Sequence, residues 1–249
     1  MRGRNEPAGM GSGRRQVTLA TEAREGAPSP WQKNKNVRRK MDSRYLDSFM
    51  PESEHLDLAL ISGFERREPL TLSWPMDGIP AGWLSIQTPE AWREFVLSLS
   101  LPDGVPEIVR AKYRRAQMLY FLAWLYPDLI KAGELVGLTT LELAVRDCYG
   151  NNVQGRGKSK PTFATLLQYM PKDGLTDAKI PMVQRSGGTA IGFVTGQSKP
   201  SLAERRNLLA HGDPFDAFPC GGLLELVRDL IVYAYRMQIA RESSVIAGS

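Results

Sequence analysis

The residue types best suited to chemistry in this 249-residue chain lie close together in the stretch 201–212. Arg206, Asn207 and His211 combine three useful side chains there. Arginine can donate two parallel hydrogen bonds to phosphate oxygens, and histidine gives or takes protons near neutral pH. Asparagine can orient an imidazole or bind a phosphate oxygen. Cleavage of RNA by attack of its own 2′-hydroxyl needs proton transfer and neutralised phosphate charge. These three residues could supply both without a metal or a cofactor.

The same stretch carries signals for the two ends of a helix. Ser201 and Glu204 have the spacing of a capping box, in which each side chain bonds the backbone N–H of the other residue. Gly212 stands where a helix commonly ends in a left-handed residue. The pattern therefore predicts a short helix with His211 in its last turn.

Helical spacing decides which of these side chains share a face. Glu204, Asn207 and His211 are three and four residues apart, so they fall on one side of the predicted helix. Arg206 lies about 140° round the axis from His211, although its long side chain could reach a shared ligand. Glu204 and Arg205 are supporting candidates, and Arg205 could equally be a solvated charge.

Asn207 is the residue that separates this pattern from chance. Asparagine occurs only 6 times in the 249 residues, so an asparagine directly after the arginine makes the match much stricter. A histidine before glycine is also a common helix ending. A purely structural interaction protein would then have Arg206 and His211 turned away from any cleft.

The rest of the chain supplies elements that could position this stretch. Apolar residues at helical spacing predict further helices over 88–99, 107–126, 128–148, 162–170 and 222–241. Apolar and polar residues alternate over 55–61 and 70–74, which predicts short strands and allows a hairpin. Segments 150–161 and 184–200 are predicted to be irregular. The first of them lacks the spacing of a P-loop, so no nucleotide cofactor is expected.

The predicted helix over 128–148 has a definite apolar stripe. The stripe consists of Leu129, Ala132, Leu135, Val136, Leu143 and Ala144. Four charged residues are predicted off the stripe or at its edges: Glu134, Glu142, Arg146 and Asp147.

These elements predict an all-α protein, an antiparallel helical bundle of four to five helices. Residues 1–40 are predicted to be a disordered basic tail, and 41–100 an irregular lead-in that includes the first helix. The helical domain is expected over 101–242, and 243–249 is a second disordered tail.

Charge is distributed unevenly. The first 40 residues hold 10 Lys or Arg and 3 Glu, a net charge of +7, which leaves −2 on residues 41–249. The tail is either a basic arm that touches nucleic acid or simply solvated. A folded part without a basic surplus favours a small site over a broad nucleic-acid surface.

Apolar patterning and cysteine content predict where the protein works. The longest apolar run, 118–126, is far shorter than the roughly 20 residues that a membrane-spanning helix needs, and no secretory signal is evident. Two cysteines make neither a disulfide framework nor a metal-ligand pattern. The expectation is a cytoplasmic protein with no membrane partner and no metal.

The motif resembles that of the HEPN superfamily. RNLLAHG, followed by a short turn and a long amphipathic final helix, is similar to its pattern of Arg, a polar residue and a later His, and Arg206, Asn207 and His211 match it. The segment LTTLELAVRDCYG, residues 138–150, looks like the Glu-bearing helix that packs against the motif in many members. The resemblance covers about residues 105–242.

This resemblance implies an all-α bundle, usually a homodimer, that often acts as a metal-independent endoribonuclease in toxin–antitoxin or phage-defence systems. RNA would be the substrate and an antitoxin a possible partner. The alternative is a non-catalytic HEPN module that binds RNA, a nucleotide or a protein. A two-fold interface would bring two histidines together, so that one could act as acid and the other as base.

Overall fold

The computed structural model describes residues 56–153, 160–212 and 221–247, with side chains as far as 244. The predicted tail 1–40 lies outside these ranges. In chain order the elements are α1 Ala59–Ser62, β1 Leu70–Met76, β2 Ile79–Ile86, α2 Pro89–Ser98, α3 Glu107–Leu122, α4 Leu129–Val153, α5 Phe163–Leu167, a 3₁₀ turn Asp177–Lys179, α6 Pro181–Ser186, α7 Ala190–Thr195, α8 Leu202–His211 and α9 Leu223–Ala247. The described part is mostly helical.

A β-hairpin precedes most of the helices, so the described part is not purely helical. Strands β1 and β2 pair antiparallel with Leu70 opposite Ile86, and Gly78 takes a left-handed φ of 71° beside their turn. Leu70 and Trp74 pack into the core, whereas Trp83 is exposed. The predicted strand over 70–74 and the hairpin are confirmed.

The strand predicted over 55–61 is wrong, because the described part of this stretch leads into helix α1. The Asp57 carboxylate accepts a hydrogen bond from the Ala59 backbone N–H at 2.9 Å, which favours a local turn over an extended chain. Leu56 and Ile61 are fully buried while Leu60 is exposed. The alternation of apolar and polar residues therefore does not correspond to two faces of a strand.

Helices α3 and α4 form the centre of the fold. Gly133 on α4 permits a close approach, since a Cβ at this position would lie 2.6 Å from the Tyr120 ring on α3. The Trp92 indole N–H on α2 bonds the carbonyl oxygens of Tyr120 and Phe121, both at 3.0 Å. Helix α3 ends before the predicted residue 126, and α4 continues through Val153 into the segment predicted as a loop.

The apolar stripe predicted for α4 is correct only in part, because Ala144 is buried and Leu129, Val136 and Leu143 pack against the core. Ala132 is exposed, and Glu134, which was predicted at an edge, is 1 % exposed. Helices α3, α5, α8 and α9 all pack against α4. Its buried surface therefore covers a wide arc that a single stripe does not describe.

Two short helices, α6 and α7, occupy part of the segment predicted as irregular. One oxygen of the Asp177 carboxylate accepts hydrogen bonds from the backbone N–H groups of Ala190 and Ile191 at 2.7 and 2.9 Å. Its other oxygen accepts from the Thr189 hydroxyl, which itself caps α7. The Asp177 carboxylate thus stabilises a helix that the local sequence does not predict.

The last two helices agree well with their predictions. Helix α8 has the capping box of Ser201 and Glu204, and Gly212 closes it with a left-handed φ of 67°. Helix α9 buries Leu223, Val227 and other residues of its predicted stripe. It continues through Ala247, so the part of the predicted C-terminal tail that the structure describes begins as helix. In the described ranges, no helix is both long and apolar enough to cross a membrane.

Candidate functional site

Helix α8 has two distinct sides. The side that packs against the protein carries Leu202, Arg205, Arg206 and Leu209, which are buried or half-buried. The opposite side carries Glu204, Asn207, Leu208 and His211, which are exposed. The face predicted for Glu204, Asn207 and His211 is confirmed, and it is the solvent-facing side.

Arg206 reaches from α8 onto α4. Its Nη2 donates to Oε2 of Glu142 at 2.6 Å, and its Nη1 donates to Oδ1 of the neighbouring Asn207 at 2.9 Å. Its guanidinium lies over the Phe163 ring, 5.8 Å from the centroid. The Arg206 side chain is 27 % exposed, so its charge is held in place near the surface.

His211 occupies the exposed end of the same helix. It is the last residue of α8, and the Gly212 N–H bonds the Leu208 carbonyl oxygen behind it. Asn207 is one turn away, at a spacing that separates Cβ atoms by about 5–6 Å. No hydrogen bond or ion pair joins His211 to Arg206 within the described ranges. Asn207 contacts the arginine and shares the exposed side of α8 with His211.

Arg205 is not the solvated charge that the sequence left open. Its Nη2 donates to Oε2 of Glu134 at 3.0 Å, and the two side chains are 17 % and 0 % exposed. This ion pair joins α8 to the interior side of α4. Arg205 and Arg206 are thus neighbours in sequence with different environments.

Glu204 has a structural role in this arrangement. Its carboxylate accepts a hydrogen bond from the Lys199 ammonium and another from the Ser201 backbone N–H. These contacts, led by the one with Lys199, lower the pKa of Glu204 from its ordinary 4.5 to about 2. A carboxylate that stays ionised in this way is a poor proton donor at neutral pH.

Two concave regions lie along α8. On the exposed side, Asn207, Leu208 and Glu204 line an open groove together with Lys199 and Pro200. Arg206 and His211 do not line it. On the packed side, Arg205 borders a mostly apolar cavity of about 350 Å³ that also contacts the hairpin, α6 and α9.

Glu142 and Arg146 on α4 belong to the surroundings of the motif, although the helical pattern predicted only that they lie off the apolar stripe or at its edges. Glu142 accepts one hydrogen bond from Arg206 of the motif and another from Arg146, so it links the two arginines. The spacing of four residues between Glu142 and Arg146 is the signal that could have identified this helical ion pair. The expectation that segment 138–150 packs against the motif helix is met by the Glu142–Arg206 contact.

In the part of the chain that the structure describes, no group of three or more His, Cys, Asp or Glu side chains is arranged to hold a metal ion. In comparisons with known proteins, no family model, no curated protein and no solved structure matches this chain.

Proposed function

We propose that this protein is a metal-independent endoribonuclease of the HEPN type, in which Arg206, Asn207 and His211 form the reactive group. The observation that carries the proposal is the contact of Arg206 with Asn207 one helical turn from an exposed histidine. The resemblance of the motif suggests a toxin or a phage-defence effector, and an antitoxin as a partner.

The reaction divides into three tasks. The 2′-oxygen attacks the adjacent phosphorus and loses its proton to a base, and the bond from phosphorus to the 5′-oxygen breaks as an acid protonates that oxygen. The products are a 2′,3′-cyclic phosphate and a free 5′-hydroxyl. Negative charge grows on the phosphate oxygens during attack, so a nearby guanidinium lowers the barrier.

Arg206 suits the charge-neutralising task. A guanidinium has five N–H donors, and among the described residues Arg206 uses one for Glu142 and one for Asn207. Glu142 holds the group in one orientation, so little side-chain entropy is lost when a phosphate arrives. Donors on the two terminal nitrogens remain for phosphate oxygens.

His211 suits the proton-transfer task, and Asn207 suits a positioning task. The His211 ring is exposed at the end of α8, where a substrate can reach it. The Asn207 carbonyl oxygen accepts from Arg206, which leaves its amide N–H₂ to donate to a phosphate oxygen or to the imidazole.

A second copy of the chain would complete the site. The reaction needs an acid and a base, and one motif supplies one histidine. The exposed side of α8 places Asn207, His211 and the partly exposed apolar Leu208 on one surface. Two such surfaces related by a two-fold axis would bring two histidines together, each one helical turn from the Asn207 that contacts Arg206 of its own chain.

The non-catalytic alternative also has an observation in its favour. Arg206 is engaged by Glu142, as expected if the arginine served mainly to join α8 to α4. A module of this kind would bind RNA, a nucleotide or a partner protein without cutting it.

Incubation of full-length protein with RNA and a chelator separates the two functions. We expect the wild type to cut an RNA oligonucleotide and leave 2′,3′-cyclic phosphate ends, but to leave its 2′-O-methyl counterpart intact. His211→Ala should cut at least about 100-fold more slowly, since proton transfer contributes about 10²–10⁴ in rate.

The matched control is Met237→Ala, which truncates an exposed side chain on α9 and should retain full activity. Circular dichroism checks that both variants fold. RNA binding without cleavage by the wild type would establish the non-catalytic alternative, and cleavage of the 2′-O-methyl strand would exclude the mechanism.

A further inference from the structure

A cavity of about 350 Å³ lies between the hairpin and the helices that follow α5. Buried apolar side chains of α6, α8 and α9 line it: Met182, Leu202, Leu223 and Leu226. Pro80 and Ala81 of β2 line it as well, and both are exposed, so the cavity opens to solvent beside the hairpin. Pockets that bind small molecules have volumes of about 300–1,000 Å³ and mostly apolar linings. The cavity therefore has the size and the lining of a small-molecule site.

Close packing fixes the wall of the cavity where α9 begins. A Cβ at Gly221 would lie 2.6 Å from the Ser73 carbonyl oxygen, and a Cβ at Gly222 would lie 2.6 Å from the Pro75 ring. The start of α9 thus approaches β1 more closely than residues with side chains would allow. All four residues line the cavity, so this part of the lining is built into the fold.

Two hydroxyl groups supply hydrogen-bonding capacity in the apolar lining. Ser73 lies in β1, and Ser198 is held beside α7 because its backbone N–H donates to the Gly192 carbonyl oxygen at 2.9 Å. The Ser186 and Thr189 hydroxyls also line the cavity but already donate within the protein. Within the described ranges the Ser73 and Ser198 hydroxyls make no hydrogen bond. Each can therefore donate to a ligand or accept from it.

The lining offers a charged ligand no unpaired counter-charge. Among the described residues that line the cavity, Arg205 is the only charged one, and its guanidinium pairs with the Glu134 carboxylate at 3.0 Å. A charged ligand would lose its hydration here without gaining an opposite charge of its own. An uncharged ligand avoids this penalty, and a polar atom on it can bond the two serine hydroxyls.

Trp83 adds a large aromatic surface near the opening of the cavity. It lies on the same face of β2 as Ala81, two residues earlier, and its register partner on β1 is Ser73. Its side chain is exposed, although an indole is a large apolar group. The apolar surface that a ligand can contact therefore extends from the cavity onto the hairpin.

We propose that this cavity binds an uncharged, mostly apolar small molecule whose polar atoms contact Ser73 and Ser198. Leu202 and Arg205 of the lining belong to the packed side of α8. The ligand therefore contacts the helix whose opposite side carries His211, and its binding stabilises the position of that helix. This inference goes beyond the proposed function and does not depend on RNA cleavage.

Three probes that share one apolar chain but differ in charge test the class of ligand: 1-octanol, octanoate and octylammonium. Isothermal titration calorimetry of the full-length protein measures their affinities. We expect octanol to bind at one site per chain, and both ions to bind at least about 10-fold more weakly, because the cavity has no partner for their charge. No binding of octanol, or an ion that binds as tightly as octanol, would overturn the inference.

Ala81→Trp tests the place of binding, because it adds a large side chain at the exposed opening of the cavity. Ser85→Trp is the matched control, since Ser85 is exposed on the same face of β2 but lies outside the lining. We expect Ala81→Trp to bind octanol at least about 10-fold more weakly than Ser85→Trp, because the new ring fills volume that the octyl chain would occupy. Equal affinities would place octanol elsewhere and contradict the proposed site.

The double variant Ser73→Ala with Ser198→Ala tests the polar contacts. Loss of both hydroxyls should weaken octanol binding several-fold, and an unchanged affinity would show that they do not bind the ligand.

Hydrogen exchange tests the contact with α8. Octanol should slow amide exchange in α8 of the wild type but not of Ala81→Trp, and unchanged exchange in the wild type would contradict the contact. Analytical ultracentrifugation tests a different occupant. If Ala81→Trp sediments more slowly than Ser85→Trp at the same concentration, a second copy of the chain occupies the cavity and the inference fails.

Discussion

At the scale of residues, two adjacent arginines are predicted to differ in role. Arg205 pairs with Glu134, whose side chain is fully buried, whereas Arg206 pairs with Glu142, whose side chain is 19 % exposed. Removing one partner of a buried pair leaves the other charge desolvated and unpaired, which strongly lowers the free energy of unfolding. A pair near solvent contributes much less.

Arg205→Ala should therefore lower the free energy of unfolding by about 3–5 kcal/mol. Arg206→Ala should lower it by about 1 kcal/mol or less. Urea unfolding followed by circular dichroism measures both. Replacing both buried partners, as in Arg205→Met with Glu134→Leu, should recover most of the loss. A larger effect at Arg206 than at Arg205 would mean that the structural roles are reversed.

The sequence indicated which residues form the motif but not which arginine is buried. Helical spacing correctly separated Asn207 and His211 from Arg206. The burial of Glu134 depends on α8 packing across α4, a contact between residues 71 positions apart. Local periodicity carries no information about such a partner.

At the scale of elements, the clearest local signals are the helix caps. Thr88 accepts a hydrogen bond from the Ala91 N–H at 3.2 Å at the start of α2, and the capping box begins α8 as predicted. These caps work because their partners are three residues away. Helix α7 is stabilised by Asp177 from a separate turn, so its local sequence alone predicts an irregular segment.

Glycines on α4 provide a test of the close packing between α3 and α4. A Cβ at Gly133 would meet the Tyr120 ring at 2.6 Å, and Tyr120 is fully buried. Gly133→Ala should destabilise the protein by about 1–3 kcal/mol, because the two helices must move apart.

Gly150→Ala is the matched control on the same helix, since the nearest atom to its Cβ would be 3.8 Å away. It should be neutral or stabilise the protein by up to about 1 kcal/mol, the difference in helix propensity. Thermal and urea unfolding measure both variants. Similar losses at the two positions would contradict the close helix contact.

At the scale of the whole molecule, fold class was predicted more completely than architecture. The helical spacing of apolar residues gave a mostly helical protein, and the hairpin came from alternation over 70–74. The number of helices and their arrangement were harder to predict, because α4 is surrounded on several sides and shows no single stripe. Charge totals also give no sign that Arg206 and Arg146 both pair with Glu142, because a net charge does not report where charges meet.

Two chains are the functional unit in the proposed reaction. The central claim is that cleavage requires His211 from both copies. Mixing wild type with His211→Ala at a fixed total concentration tests this claim, provided that the chains are allowed to exchange before RNA is added.

If both histidines are required, an equal mixture should cut a defined RNA oligonucleotide at about one quarter of the wild-type rate, because only dimers with two intact copies are active. His211→Ala alone should show almost no cleavage. A mixture that retains half of the wild-type rate would show that each chain acts alone. Equal rates for the wild type and His211→Ala would contradict the proposed role of His211 in proton transfer.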